Sequence, residues 1–413
     1  MGKKRTVIVT AVALLVLAPA ARGSGFLIYE HGAAAMAMAG AFTSLAKDPS
    51  AVWHNPAGLA WLEGTQVLGG ATLIVPRGTA AFPDYPGSPS YDQVHKVFTP
   101  PNLYLTHKLS NRVVLGLGVF SPYGLGIEWP EPETFPWRYL GTSGDMVTFF
   151  VNPAIAFKVT DRFSLGVGVS FIYSKLTQSV TQLMDMGEMS FDVPTDVEAD
   201  GTSFGFNAGL LYKGDKFRVG LNYRSRYSLK YEGTVMLDVP VYETPFEGTG
   251  DTTFRFPDIV TMGLSFDLTS KLVWAVDFHY IFWSSYDSYT FHIDVPELDL
   301  SEDLVVPTQW KDSYIARTGL EYLATDRLAL RAGVAFDKTP QPAATMDSSL
   351  PDANRVALTA GFGYKLGKVT LDFAYQFENF RRRTSARPDL PDFLQGTFKT
   401  QAHLFGVNLG YKF

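Results

Sequence analysis

The stretch His403-Leu404-Phe405-Gly406-Val407-Asn408-Leu409-Gly410-Tyr411-Lys412-Phe413 alternates bulky apolar residues with glycine, asparagine and lysine. At the two-residue period of a β-strand, Phe405, Val407, Leu409, Tyr411 and Phe413 share one face, and Gly406, Asn408, Gly410 and Lys412 share the other. Such a strand separates an apolar phase from a polar one. The same pattern recurs far upstream. Phe163, Leu165, Val167, Val169, Phe171 and Tyr173 oppose Ser164, Gly166, Gly168 and Ser170, and Leu371, Phe373, Tyr375 and Phe377 oppose Asp372, Ala374, Gln376 and Glu378. In a soluble sandwich the apolar face is the packed core; in a membrane barrel it meets lipid and the polar face lines the interior. Alternation alone does not choose between these, so the surroundings of the strands must.

Met1-Gly-Lys-Lys-Arg-Thr precedes an apolar run from Val7 to Ala18, too short to span a bilayer and suited to a secretory signal. Residues 1–23 are expected to be removed, with Ala21 and Gly23 as the small residues before the cut and a cut after Ala20 as the rival. Loss of Lys3, Lys4, Arg5 and Arg22 leaves the mature chain four units more acidic than the formal −6, which argues against nucleic acid as a partner. There is no cysteine, hence no disulfide framework, thiolate metal site or lipoprotein anchor. Mean hydropathy is close to zero and no later stretch approaches the length of an apolar helical span, a range in which transmembrane β-barrels fall because only alternate residues face lipid. Export, strand length and 14% aromatic residues favour the barrel.

The connections sharpen this. Turn-prone pairs fall at Ser110-Asn111, Thr160-Asp161, Gly214-Asp215, Thr269-Ser270, Thr325-Asp326 and Gly367-Lys368. Long connections are expected near 78–97, 122–143, 178–200, 233–251, 285–308, 338–352 and 381–396. About thirteen connections make about fourteen antiparallel strands over residues 63–413, with tight turns on the periplasmic side, long loops outside and both termini periplasmic. Residues 24–62 lack the two-residue period. Asp48-Pro49 and Asn55-Pro56 each set a capping side chain before a proline suited to the first helical position, so short helices are expected here, in a plug that a barrel of this width has room to hold.

These residues resemble the FadL/TodX (OMPP1) family of outer-membrane transporters for long-chain fatty acids and other hydrophobic compounds. The resemblance is carried by Gly25-Phe26, by Met38-Ala-Gly-Ala41, by Asp48-Pro-Ser-Ala-Val-Trp-His-Asn55-Pro56-Ala57-Gly58-Leu59 with its Asn-Pro-Ala motif, and by Phe120-Ser-Pro-Tyr-Gly-Leu125 followed by Trp129 and Trp137-Arg138-Tyr139. It implies a fourteen-stranded barrel in a Gram-negative outer membrane, an N-terminal hatch, ligand capture by outer loops, and sideways release through the wall near the third strand.

Phe26, Leu27 and Ile28 are then expected at the hatch tip in contact with ligand, and Asn55, Pro56 and Ala57 to shape the hatch. Pro100 and Pro101, two residues without an N–H within the second strand, are expected with Gly116 and Gly118 to mark a lateral opening. Leu183, Met184, Met186, Met189 and Phe191, with Val235, Met236, Leu237 and Val239, are expected to form an apolar capture groove; the plainer alternative is that these loops pack on each other. Alternation turns Arg218, Arg224, Asp277, His279, Arg317, Glu321, Arg331, Arg355, Asp372 and Glu378 inward, mostly to pair among themselves. No catalytic residue is expected. Gly201-Thr-Ser203-Phe-Gly205 fits the nucleophile-elbow pattern but continues as strand, and the histidines lack metal-binding spacing. The expected partners are a hydrophobic small molecule and membrane lipid, without cofactor or metal, in a monomer. A general aqueous porin or a structural barrel is the alternative.

Overall fold

The computed structural model describes residues 25–186 and 189–413, with the backbone alone at 185, 186 and 189. The expected signal, residues 1–23, lies outside the described residues. Fourteen antiparallel strands run round a closed barrel: β1 (Thr65–Ala81), β2 (Pro101–Lys108), β3 (Val113–Phe120), β4 (Ser143–Lys158), β5 (Phe163–Met186), β6 (Met189–Lys213), β7 (Phe217–Arg224), β8 (Ile259–Asp267), β9 (Leu272–Ile281), β10 (Ser313–Leu323), β11 (Leu328–Asp337), β12 (Arg355–Leu366), β13 (Val369–Phe380) and β14 (Thr397–Lys412). Each pairs with its sequence neighbours, and β1 closes the circle on β14 from Gln66↔Lys412 to Ala81↔Thr397. All six expected tight turns join strands at one end.

The burial pattern selects the membrane reading. On β5, Val167 and Val169 are 54% and 56% exposed, while Ser164, Ser170 and Ser174 between such residues are buried. Leu409 on β14 is exposed and Asn408 is buried. Burying serine and asparagine while exposing leucine and valine is unfavourable in water; with acyl chains outside, the same arrangement lets each face meet its own solvent.

Three of the seven expected loops turn out to be strand. β5 and β6 continue as one long hairpin, and Tyr227–Leu237, Phe246–Phe256, Ser288–Val295 and Leu300–Pro307 extend the sheet beyond the barrel proper. The reason is a second apolar face. Val193, Val197, Val235, Leu237, Val239, Ile293 and Val295 alternate inward along these extensions and bury one another. The connections after β1, β3, β11 and β13 are mostly loop, with short strands at Ser90–Asp92 on β1, Gly124–Glu128 on β4 and Arg383–Thr384 on β14, and Phe82, Trp129, Phe135, Trp137 and Met346 from them cluster with Phe398 of β14. Trp137 Nε1 donates to the Leu394 carbonyl at 2.6 Å and Trp129 Nε1 to the Ser348 carbonyl at 2.9 Å, tying separate loops together.

Candidate functional site

Ahead of β1, the N-terminal segment folds into two single-turn helices, α1 (Ala33–Met36) and α2 (Ala51–His54), and a 3-10 helix, Pro56–Trp61. Asn55 caps the 3-10 helix as expected, whereas Asp48 bonds the turn ahead of α2, whose N-cap is Ser50 without a side-chain cap bond. Asn55 Oδ1 accepts from the Ala57 N–H at 3.1 Å, and Asp48 Oδ1 accepts from the Ser50 N–H at 2.8 Å. Asn55 also reaches sideways: its Nδ2 donates to the Thr43 carbonyl at 3.0 Å and to the Leu210 carbonyl of β6 at 2.9 Å.

The segment is fixed to the inner face of the strands by polar groups that alternation turns inward. Asp277 Oδ2 on β9 accepts from the N–H groups of Phe42 and Thr43 at 3.0 and 2.8 Å. Arg317 Nη1 on β10 donates to the Ala39 carbonyl at 2.7 Å, with its guanidinium over the Tyr29 ring. Arg224 on β7 lies 4.1 Å from the centre of the Trp53 ring, and Asn408 Oδ1 on β14 accepts from the Ala33 N–H at 2.7 Å. Space for this backbone comes from wall positions without a side chain. A Cβ on Gly220 of β7 would strike the Thr43 carbonyl, one on Gly209 of β6 the Asn55 side chain, and one on Gly166 of β5 the Pro56 backbone.

Two ionic networks complete the contact. Lys47 pairs with Glu321, whose other oxygen accepts from Arg331 Nε at 2.7 Å, and Arg331 Nη1 reaches Asp372 at 2.6 Å. Nearer the loops, Arg355 Nε bonds Asp337 at 2.9 Å and its Nη1 reaches Glu378 at 3.3 Å, while Gln376 Nε2 bridges Glu378 and Glu30 at 2.8 Å each. On the segment itself, burial pushes the His54 imidazole down to about 4, and its Nε2–H is directed at the His31 carbonyl 2.7 Å away. In the β11–β12 loop, burial pushes the Asp352 carboxyl up to about 6 although it accepts from the Thr339 hydroxyl and the Gly25 N–H.

The expected tip residues occupy a distinctive place. Phe26 is surrounded by the rings of Tyr123, Phe256, Trp283, Tyr286 and Trp310, with centroids 5.0 to 6.0 Å away. Leu27 forms a β-bridge to Tyr123, closed by Ile28 N–H to the Pro122 carbonyl at 2.8 Å and Gly124 N–H to the Phe26 carbonyl at 3.0 Å. Beside them is a cavity of about 400 Å³. Gly25, Phe26, Leu27, Ile28 and Tyr123 line its inner side, and Phe98, Pro100, Pro101, Val147 and Phe149 line its other side. Val147 and Phe149 are 44% and 37% exposed on the lipid face, so the cavity reaches from the tip of the segment to the outer wall.

The strand pairing changes here: β3 ends at Phe120, and Gly124–Glu128 takes its place against β4. β2 and β3 pair only up to Asn102↔Phe120, β2 begins at Pro101, and beyond it β1 holds the chain by the Thr72 N–H to Pro100 carbonyl bond and the Ile74–Phe98 bridge. Pro100 and Pro101 line the cavity where this pairing stops. Gly116 and Gly118 do not line it: they lie lower on β3, paired on both sides and facing inward against Leu59 and Val52.

The expected capture residues separate. Leu237 is fully buried in the cluster of the strand extensions, Met184 and Phe191 pack against it, and Leu183 and Met236 face outward. Met184, Phe191, Val235, Leu237 and Val239 pack on one another, and among the described residues none of the group lines the cavity. The Met186 and Met189 side chains lie outside the described residues. Ser203 sits within β6, its hydroxyl donating to the Ser228 carbonyl at 2.7 Å, with no strand-to-helix turn about it. The aromatic surround of Phe26 has no sequence signal, since its members come from four separate stretches of chain.

A profile of outer membrane protein transport proteins (OMPP1/FadL/TodX) matches residues 14–413. A long-chain fatty acid transport protein of Salmonella typhi is 24% identical, the match covering 98% of this chain and 97% of that one. Among solved structures, a Pseudomonas aeruginosa FadL homologue superposes with a TM-score of 0.82 at 21% identity, over 94% of this chain and all of that one. The Ralstonia pickettii toluene transporter TbuX superposes with a TM-score of 0.74 at 20% identity, again over 94% of this chain and all of the other.

Proposed function

Because this chain belongs to the OMPP1/FadL/TodX family of outer membrane transport proteins, we propose that it takes up hydrophobic molecules of the long-chain fatty acid or hydrocarbon class by facilitated diffusion, with the N-terminal segment as hatch and the gap beside Pro100 and Pro101 as lateral exit. The observation that carries this reading is the cavity joining the hatch tip to the lipid face. Returning an alkyl chain to water costs about 0.8 kcal/mol per methylene, so a path that ends in the bilayer avoids the largest barrier. Cargo reaches the cavity past the packed outer loops, with Leu183 and Met236 as their exposed apolar points, and displaces Phe26 from its ring of aromatics. The hatch then shifts, and the cargo leaves between β1, β2 and β4.

The two kinds of relative bear on the cargo. One carries the name of a fatty acid transporter and another that of a toluene transporter, and both names describe molecules whose transfer is driven by apolar burial.

Ala402 is buried and lines the cavity. It also packs in the cluster that holds Ala33, Met36 and Ala37 of the N-terminal segment, so the position changed is Thr400, which lines the cavity outside that cluster. A barrel carrying Thr400→Trp is expected to lose most uptake of a hydrophobic fluorophore into proteoliposomes. Full uptake by a correctly assembled variant overturns the route. Swelling of proteoliposomes in sugars would favour an aqueous porin instead.

A further inference from the structure

We propose that this cavity, taken as the cargo site on the reading above, selects uncharged hydrophobic molecules and disfavours free fatty carboxylates. The charged side chains on its wall are Glu30, Asp352, Glu378 and Arg355: three carboxylates against one guanidinium. Two of the three nitrogens of the Arg355 guanidinium are already engaged. Its Nε donates to Asp337 and its Nη1 to Glu378, and the Phe380 ring lies 5.3 Å from its centre. The neighbouring amide donor is also committed, since Gln376 Nε2 is shared between Glu30 and Glu378. Asp352 takes up the Gly25 N–H and the Thr339 hydroxyl.

The protein's own acceptors thus claim these donors. Among the described residues, Arg355 is the one cation on the cavity wall, beside Glu30, Asp352 and Glu378, while Arg383 behind it donates to the Asp352 and Gln341 carbonyls. An arriving carboxylate has two options here. It can displace Glu378 from Arg355 and leave a buried carboxylate without its partner, or it can approach the remaining Nη2 of Arg355 from among like charges in a poorly solvated site. An ester, an alcohol or a hydrocarbon meets neither difficulty, and the remaining wall, with Ile28, Ile74, Phe98 and Tyr123, offers apolar surface to all of them.

Methyl laurate and laurate have the same acyl chain and differ in charge at pH 8, so they isolate the effect. Their binding to the purified full-length barrel in detergent is measured by tryptophan fluorescence, each corrected for partition into protein-free micelles. The ester is expected to bind at least about tenfold more tightly, a difference of about 1.4 kcal/mol, and Glu378→Gln is expected to narrow that ratio by strengthening laurate. Laurate binding as tightly as the ester in the wild-type protein overturns the charge selection while leaving the transport reading in place. Binding of neither probe removes both.

Discussion

Replacing Asn55 with alanine tests how the N-terminal segment is held. The side chain is fully buried and makes three hydrogen bonds, to the Thr43 carbonyl, the Leu210 carbonyl and the Ala57 N–H. A neutral hydrogen bond is worth roughly 0.5–1.5 kcal/mol net, and a buried group left unpaired costs more than the bond it lost. Losing all three therefore weakens docking by about 2–4 kcal/mol, which raises the undocked fraction roughly 30- to 700-fold. The barrel itself keeps every strand ladder and is expected to remain folded, as shown by its mobility shift on heating. The chain has no cysteine, so a Val52→Cys background supplies a unique thiol at a fully buried position facing Gly116 and Gly118. Where redocking outpaces labelling, the rate of alkylation follows the opening equilibrium. Asn55→Ala in that background should accelerate alkylation by the factor above. A folded barrel whose thiol reacts at the parental rate refutes the idea that Asn55 clamps the segment.

Other consequences follow from the same contacts. Gly220→Val should expose the same thiol, because any Cβ there meets the Thr43 carbonyl, and unchanged alkylation would count against close packing of segment and wall. His54, pushed down to about 4 by burial, stays neutral when docked, whereas the undocked imidazole takes up a proton near pH 6.5. Its depressed value means stability is present above pH 6.5 and is lost as pH falls toward 4. Asp352, pushed up to about 6, acts in the opposite sense between pH 6 and 4, so the prediction is placed on a difference: alkylation of wild type should rise more steeply on acidification than that of His54→Gln, and parallel profiles would contradict it. Val167→Arg puts a charge on the lipid face and should destabilise the barrel in urea by about 2–4 kcal/mol if it lies near the midplane; a neutral effect would deny that this face meets acyl chains.

The wall was legible because the membrane enforces a two-residue rule on every strand. Leu165, Val167 and Val169 face out and Ser164, Gly166 and Ser170 face in, as their order alone requires. Asn55 before Pro56 announced a capped turn, and the turn is there. The same rule, applied strictly, separates Gly116 and Gly118 from the cavity beside Pro100, since they alternate with outward Leu115 and Leu117 and must face the interior. Other features have no local period to reveal them. The rings around Phe26 come from residues 123, 256, 283, 286 and 310, which closure of the barrel alone brings together. Met184, Phe191 and Leu237 form an apolar group, and composition does not distinguish a groove for a ligand from strands that bury their own apolar face above the membrane.

The route of the cargo is the claim on which the functional account rests, and photolabelling tests it most directly. An uncharged alkyl diazirine, irradiated with the reconstituted protein and mapped by peptide sequencing, should mark Phe26 to Ile28, Tyr123 and the chain from Phe98 to Pro101, the two sides of one cavity. Adducts confined to the packed extensions around Val193 and Val235, with none between the N-terminal tip and the wall beside Pro100, would contradict it.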